Sequence, residues 1–582
     1  MKTAIAALAI IGVLILLPPS APPAAGAPQQ KEAGSGAGWI LNDQEYFEKP
    51  GLSVLVFHNI YPEGKQGGIE IIQHGERVAT LGDVRLEPAP GQWGKLPVAG
   101  KRRVDRAANR AEVPLRFEKE GVAYRVRLEP DGDAICVTVD LDRPLPPELL
   151  GLAGFNLELF PPAYFGKTYH LGRTDGVFPR QGNGPCEKDG TVVHAVPLAE
   201  GPVFSAAPED PLRRLTIESL SGELRFFDGR STETNGWFLL RSLIPAGATT
   251  GAVRWRVTPN SVPGWRRPPV IGLSQVGYHP RQDKRAVIEL DPRTTSLGGA
   301  TLLKVDPGRG LVPVLERPLA RWGRFLRYEY AFFDFTTIRE TGTYVVRYGE
   351  SSTSPFLISP EVYRRDVWQP TLETFLPVQM CHVRVIDRGR IWHGACHMDD
   401  ALQAPPGLDL AFIEGYKQGP QTETPYGADE HIPGLDRGGW HDAADHDLAG
   451  GAQAWATMLL ALSRETFGLA SDQTTVDTAR RNVVLHVPDG KPDILQQVVH
   501  GAENLLAGYR IAGHSLCGIS DSSLEQYGTL GEPASLTDGR ILDPSLGTDE
   551  VKGGRSGRRD DRYAFTNRDS GLEYAAVAAL AA

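Results

Sequence analysis

At 582 residues the chain is too long for one ordinary core, and three domains is the natural division. A composition that is 41% hydrophobic and 23% charged is globular and excludes a mainly disordered chain. The net charge of −10 argues against nucleic acid or an anionic membrane as the main partner.

Residues 1–27 open on Met-Lys-Thr, continue as an apolar run from Ala4 to Leu17, and end in small residues and prolines. This pattern predicts a secretory signal peptide, hence an extracellular or periplasmic protein with no membrane attachment after cleavage. The run is short for a membrane span, and an uncleaved anchor is the alternative. Pro28 to Gly38 has no large apolar residue and reads as a linker.

From residue 39 to 258 the period is two. Tyr124–Leu128 and Ile135–Leu141 alternate apolar and polar, with Asp131-Gly132-Asp133 as the turn between them. A large β-sandwich is expected. Pro259 to Pro269 is a proline-rich connector. Residues 270–359 carry a second set of strands, including Arg285–Leu290 and Thr343–Tyr348, on the scale of an immunoglobulin-like sandwich.

Beyond residue 359 the period lengthens to that of a helix. Leu448, Ala452, Trp455, Leu459 and Leu462 make one apolar stripe. Ile494, Leu495, Val498, Val499, Ala502, Leu505, Leu506 and Tyr509 make another, opened by Pro492 and Asp493. A last helix begins at Asp569 or Ser570 and carries Leu572, Ala576 and Leu580. It has no stop signal, so the sequence predicts a chain that ends inside a helix.

Gly438 to Asp447 reads Gly-Gly-Trp-His-Asp-Ala-Ala-Asp-His-Asp. Asp442 and Asp445 stand three apart at the mouth of the first helical stripe, a spacing that puts two carboxylates on one face of a helical turn. Such a pair can hold and polarise one water. The bland reading is two helix-capping acids. Trp440 offers an aromatic face, although an isolated Trp is more often core, and Trp392 is a weaker candidate of the same kind.

Five cysteines are too few and too scattered for a disulfide scaffold. Cys381-His382, Cys396-His397 and His441 nevertheless suit a closed Cys2His2 zinc site. His382 and His393 compete as ligands. A Cys381–Cys396 disulfide and buried free thiols are the alternatives. His393-Gly-Ala-Cys-His397 has Gly394 where a zinc peptidase has its Glu. Asp399 and Asp400 are too few acids to define calcium binding, which is left open. Asp560-Asp561 reads as a solvated loop.

Two groups of segments resemble glycoside hydrolase family 9, the inverting β-glucanases. Leu273–Pro280, Asp334–Tyr344 and Ser354–Ile358 are similar to the immunoglobulin-like domain that precedes many catalytic domains of that family. Gly438–Asp447, Lys491–Leu495 and Thr566–Tyr574 are similar to the catalytic domain itself. The resemblance implies an (α/α)6 barrel, of which residues 360–582 would be the N-terminal half. The fold class is thus multidomain: a β-sandwich, an immunoglobulin-like β-sandwich, then a partial all-α barrel.

It further implies cleavage of β-1,4-glucosidic bonds in cellulose or a related β-glucan, a neutral polymer that needs no charge match. Asp445 would be the general base, Asp442 the partner that fixes the water, and Trp440 a sugar contact. Cys381, Cys396, His397 and His441 would hold a structural zinc. Ala444 departs from the Gly the family places there; if that position needs positive φ, Ala costs about 1 kcal/mol or more. The family's general acid is a Glu near the end of the barrel, and no Glu here, Glu573 included, matches it. An inverting enzyme needs that acid across the bond. This chain alone is therefore expected to hydrolyse little, and a catalytically inactive glycan-binding or scaffold remnant is the alternative.

Overall fold

The computed structural model describes residues 38–58, 67–87, 96–182, 184–189, 192–231, 236–410, 415–442, 446–521 and 532–582. The expected signal peptide lies outside them. Among the described residues no helix is long and apolar enough to cross a membrane.

Among its described residues the first region is built on two antiparallel sheets of nine and ten strands, with a separate hairpin at Cys186–Ala195. Val122–Asp131 and Ala134–Leu141 pair across a two-residue turn in which Gly132 takes φ of 61°. That left-handed backbone is what a tight hairpin requires and Gly supplies without steric cost. Val122–Asp131 alternates buried and open positions along most of its length, whereas Ala134–Leu141 is buried throughout. The inward rows of both sheets meet in one core around Trp255, Phe155, Val137 and Leu157. The Phe155 and Trp255 rings meet edge to face at 4.9 Å.

The second region is again two sheets, of four and five strands, sharing a core of Tyr278, Ile288, Leu302, Phe333, Phe335, Tyr344 and Phe356. Arg285–Leu290 pairs with Tyr328–Asp334, and Gly299–Asp306 with Gly342–Tyr348.

Residues beyond 359 depart from an all-helical expectation. Three long helices are present: α1 (Gly450–Phe467), α2 (Asp493–Ala512) and α3 (Ser570–Ala581). Among the described residues they are accompanied by two four-stranded sheets of short strands and by two small hairpins. One joins Arg384–Asp387, Arg390–His393, Thr474–Asp477 and Asn482–Leu485. The other joins Leu402–Gln403, Leu448–Ala449, Gly518–Ser520 and Tyr563–Phe565. The physical reason lies in the sequence around 380–442 and 515–566. It is dense in Gly, Pro and Asp and has no sustained helical period, so the chain satisfies its backbone in bridges and turns.

The helix faces also differ from the apolar stripes. On α1 the buried residues are Gln453, Ala454, Thr457 and Ala461, while Trp455, Leu459 and Leu462 are exposed. On α2, Ile494 and Leu505 are buried as expected, but so are Gln496, Gln497 and His500, and Leu495 and Val499 face outward. On α3, Tyr574 and Val577 are exposed. The buried polar groups are there because α1 and α2 pack on an irregular strand whose backbone needs hydrogen bonds. Gln453 Nε2 donates to the Trp440 carbonyl at 2.8 Å and Gln453 Oε1 accepts from Trp440 N at 2.9 Å. α3 starts where the sequence places it: Asp569 caps it, accepting from Gly571 N and Leu572 N at 2.7 and 3.1 Å.

Candidate functional site

Two extended segments meet side by side between α1, α2 and the loop after His393. Cys381 N donates to the Gly439 carbonyl at 2.9 Å and His441 N to the Gln379 carbonyl at 2.8 Å, with Met380 opposite Trp440. This pairing brings Cys381 beside His441 although sixty positions separate them. Gly438 and Gly439 make it possible. Both have positive φ, and a Cβ on Gly438 would lie 2.2 Å from the His500 carbonyl oxygen in α2. His500 Nε2 donates to the Gly439 carbonyl at 2.7 Å.

The loop that follows supplies Cys396 and His397, the latter at φ of 51°. Cys381, Cys396, His397 and His441 then converge, all buried, with their ligand atoms within 4.8 Å of one another. The two sulfurs are 3.9 Å apart, Cys381 Sγ is 3.6 Å from His397 Nδ1, and Cys396 Sγ is 3.6 Å from His441 Nε2. A tetrahedral ion with bonds of about 2.3 Å to sulfur and 2.0–2.1 Å to nitrogen needs edges of roughly 3.5–3.8 Å. The donor set and its spacing fit such an ion. The disulfide alternative does not hold in this structure: both cysteines are free, at nearly twice the S–S bond length of about 2.05 Å.

The competing histidines are differently engaged. His382 donates between the Gly438 carbonyl at 2.9 Å and Asp400 Oδ2 at 2.8 Å, and forms a separate group with Cys381 and Asp400. The His393 ring stands 5.9 Å from that of His441, and its Nδ1 bonds the Gly394 carbonyl.

Around the tetrad lies a buried charge network that no local sequence pattern marks. Arg562 Nε donates to Asp400 Oδ1 at 3.0 Å, its Nη2 to Asp400 Oδ2 and to Cys381 Sγ (3.3 Å), and its Nη1 to the His446 carbonyl. Burial alone would push the Asp400 carboxyl up; the Arg562 guanidinium and His382 outweigh it and hold it at about 2. Burial likewise opposes ionisation of the Cys381 thiol, but its hydrogen bond with Cys396 and the charges of His382 and Arg562 bring it well below the usual thiol range. Cys396, buried against that sulfur, is pushed well above it. Burial, helped by Arg562, depresses His397 to about 4, so the ring is neutral at physiological pH. One thiolate beside neutral imidazole is the donor chemistry a soft or borderline divalent ion takes.

The acidic motif follows directly. Asp442 N donates to the Asp447 carbonyl at 2.9 Å, and the two residues form an antiparallel bridge. Asp442 is therefore not in the first turn of α1, which begins at Gly450. The helix-capping reading of Asp442 lapses with it. Asp442 is exposed, and crowding by the surrounding protein raises its carboxyl above the ordinary value. Asp445 and Ala444 lie outside the described residues. Asp447 is buried and accepts from the Tyr416 hydroxyl.

Trp440 corrects the expected sugar platform. It is 4% exposed, and its indole N–H donates to Gln497 Oε1 at 2.8 Å. It is a core side chain that anchors the motif strand to α2. Trp392 is half-buried, with the Arg390 guanidinium 4.2 Å from its ring centroid. The solvated loop expected at Asp560-Asp561 is also corrected: Asp561 is buried and Asp560 half-buried, beside Asp399.

No family model matches the chain, and no curated protein matches it. Solved structures do. A metagenome-derived glycoside hydrolase family 9 endoglucanase is 23% identical, over 54% of this chain and 53% of that one, at a TM-score of 0.35. A Bacteroides ovatus GH9 protein is 17% identical over 43% and 41%, at 0.33. A Zn-binding triple mutant of GH family 9 endoglucanase J30 is 19% identical over 52% of each chain, at 0.32. The chain spans about half the length of these structures or less. TM-scores this low leave the function to be argued from the residues themselves.

Proposed function

We propose that this chain carries the water-activating half of a secreted inverting glycoside hydrolase acting on β-1,4-glucosidic bonds of cellulose or a related β-glucan. The observation that supports it most is the position of His441. It belongs to the Cys2His2 group and immediately precedes Asp442, so whatever holds the tetrad also holds Asp442.

In this reading Asp445 accepts the proton of the attacking water, and Asp442, exposed beside the tetrad, orients that water by hydrogen bonding. Two carboxylates only three positions apart in the chain are badly placed to flank a sugar, because an inverting pair stands about 6.5–9.5 Å apart with sugar and water between. They form one side of the reaction only. Cys381, Cys396, His397 and His441 would hold zinc, which supplies a rigid structural clamp when bound. The exposed stripes of α1, α2 and α3 support assigning these helices to an (α/α)6 barrel whose neighbours would cover them. The leader at residues 1–27 supports secretion.

The test uses a substrate that needs no acid. A β-cellobioside with a strongly acidic phenol as leaving group departs without protonation, so base catalysis alone suffices. The chain is expected to release the phenol and give the α-anomer first, seen by proton NMR. Asp445→Asn should lower the rate by about 10²–10⁴-fold, the usual worth of a positioned base. A β-anomer product, or an unaffected Asp445→Asn variant, would overturn the base assignment. Tight binding of cello-oligosaccharides with no cleavage would favour the glycan-binding alternative.

A further inference from the structure

A second group of ligating atoms stands apart from the cysteines and histidines. Carboxylate oxygens of Asp399, Asp538 and Asp560 lie within 4.8 Å of one another. Asp399 is 1% exposed and Asp561, next to Asp560, is 5% exposed. Three of these carboxylates, those of Asp399, Asp560 and Asp561, each spend one oxygen on the fold. Asp399 Oδ2 accepts from the Thr537 hydroxyl at 2.7 Å, Asp560 Oδ2 from Asp538 N, and Asp561 Oδ2 from Leu542 N at 3.2 Å. Their Oδ1 atoms, all three buried, accept no hydrogen bond from the protein. Arg562, the adjacent cation, is committed to Asp400 and Cys381.

Buried carboxylate oxygens without a donor are costly, and several together are costlier still. A hard cation resolves both at once. Calcium takes about six to eight oxygen ligands and accepts several carboxylates directly, whereas magnesium keeps several of its waters and is seldom held by an all-protein cage. An all-oxygen donor set is also the opposite of the tetrad's sulfur and nitrogen. We propose that Asp399, Asp538 and Asp560, with Asp561 beside them, bind one divalent cation of the calcium class. The ion would tie the segment around 537–561 to the loop that ends in His397, two residues before Asp399. It would brace the tetrad from outside without being part of it.

The experiment is equilibrium dialysis of the full-length, zinc-loaded protein against radiocalcium, with zinc content measured before and after. Wild type is expected to hold about one exchangeable calcium per chain, as a single site requires, with an equal concentration of magnesium failing to displace it. Asp538→Asn and Asp560→Asn should each weaken binding at least tenfold with zinc content unchanged. Asp306→Asn, at an exposed hairpin, should not. Asp538 is only half-buried, so that variant reports even if Asp560→Asn folds poorly. No calcium uptake by wild type, or uptake unaffected in both variants, would overturn the proposal. So would variants that are more stable than wild type at neutral pH in the absence of calcium uptake, because the acids would then be held neutral by shared protons.

Discussion

Stripping the metal from the Cys381, Cys396, His397 and His441 centre should melt the region from Met380 to Phe565 and leave both sandwiches folded. The sandwiches have continuous cores of their own, around Trp255 and around Phe333. The third region is divided among four smaller clusters, and one of them is built on Cys381 and Cys396 themselves. The tetrad joins the strand before Val383, the loop after His393 and the motif strand at His441, segments otherwise packed in these small separate clusters. Structural zinc sites in small domains contribute about 10–16 kcal/mol of apparent binding energy, more than such a region holds in reserve. Calorimetry with a chelator should show one transition lost and the sandwich transitions retained. Cys396→Ser should behave as the chelated protein does, and Cys136→Ser, in the first sandwich, should not. Retention of all transitions after verified metal loss would contradict the account.

The second large effect is expected at Arg562. Replacing it with Met leaves Asp400 buried with His382 as its remaining charged partner and removes a donor from Cys381. Breaking one side of a buried pair costs about 3–5 kcal/mol, because the other charge stays behind. Lys should not rescue it: a point charge cannot reach Asp400, Cys381 and the His446 carbonyl together. Changing Asp400→Asn as well should recover part of the loss, which a double-mutant cycle measures. The pH sign follows from the depressed Asp400 carboxyl. Its stabilisation is fully present above the unfolded value near 3.8 and is lost as pH falls through about 2. Acid unfolding of wild type should therefore be steepest in that window, and the Arg562→Met variant should lose the feature.

Period and turn chemistry made the β regions legible: Val122–Leu141 reads as a hairpin because alternation and Gly132 agree. The zinc-type residues were legible as a set, but spacing alone could not join His441 to Cys381. What joins them is a backbone pairing between residues 379–381 and 439–441, long-range and invisible to local pattern. Helix existence was legible and helix orientation was not. Gln453, Gln497 and His500 look like a solvent face by polarity, yet they are buried to satisfy the motif strand. Trp440 misled for the same reason, since an aromatic beside two acids suits a sugar equally well. Arg562 and Asp400 carry no motif.

A Cys2His2 metal ion is expected to fix the strand that carries Asp442. X-ray absorption at the zinc edge of the purified protein tests it most directly. The predicted result is about one zinc per chain, with two sulfur neighbours near 2.3 Å and two nitrogens near 2.0–2.1 Å, falling to one sulfur in Cys396→Ser. A protein with no bound metal and a Cys381–Cys396 disulfide, or zinc surrounded by oxygen and nitrogen alone, would contradict it.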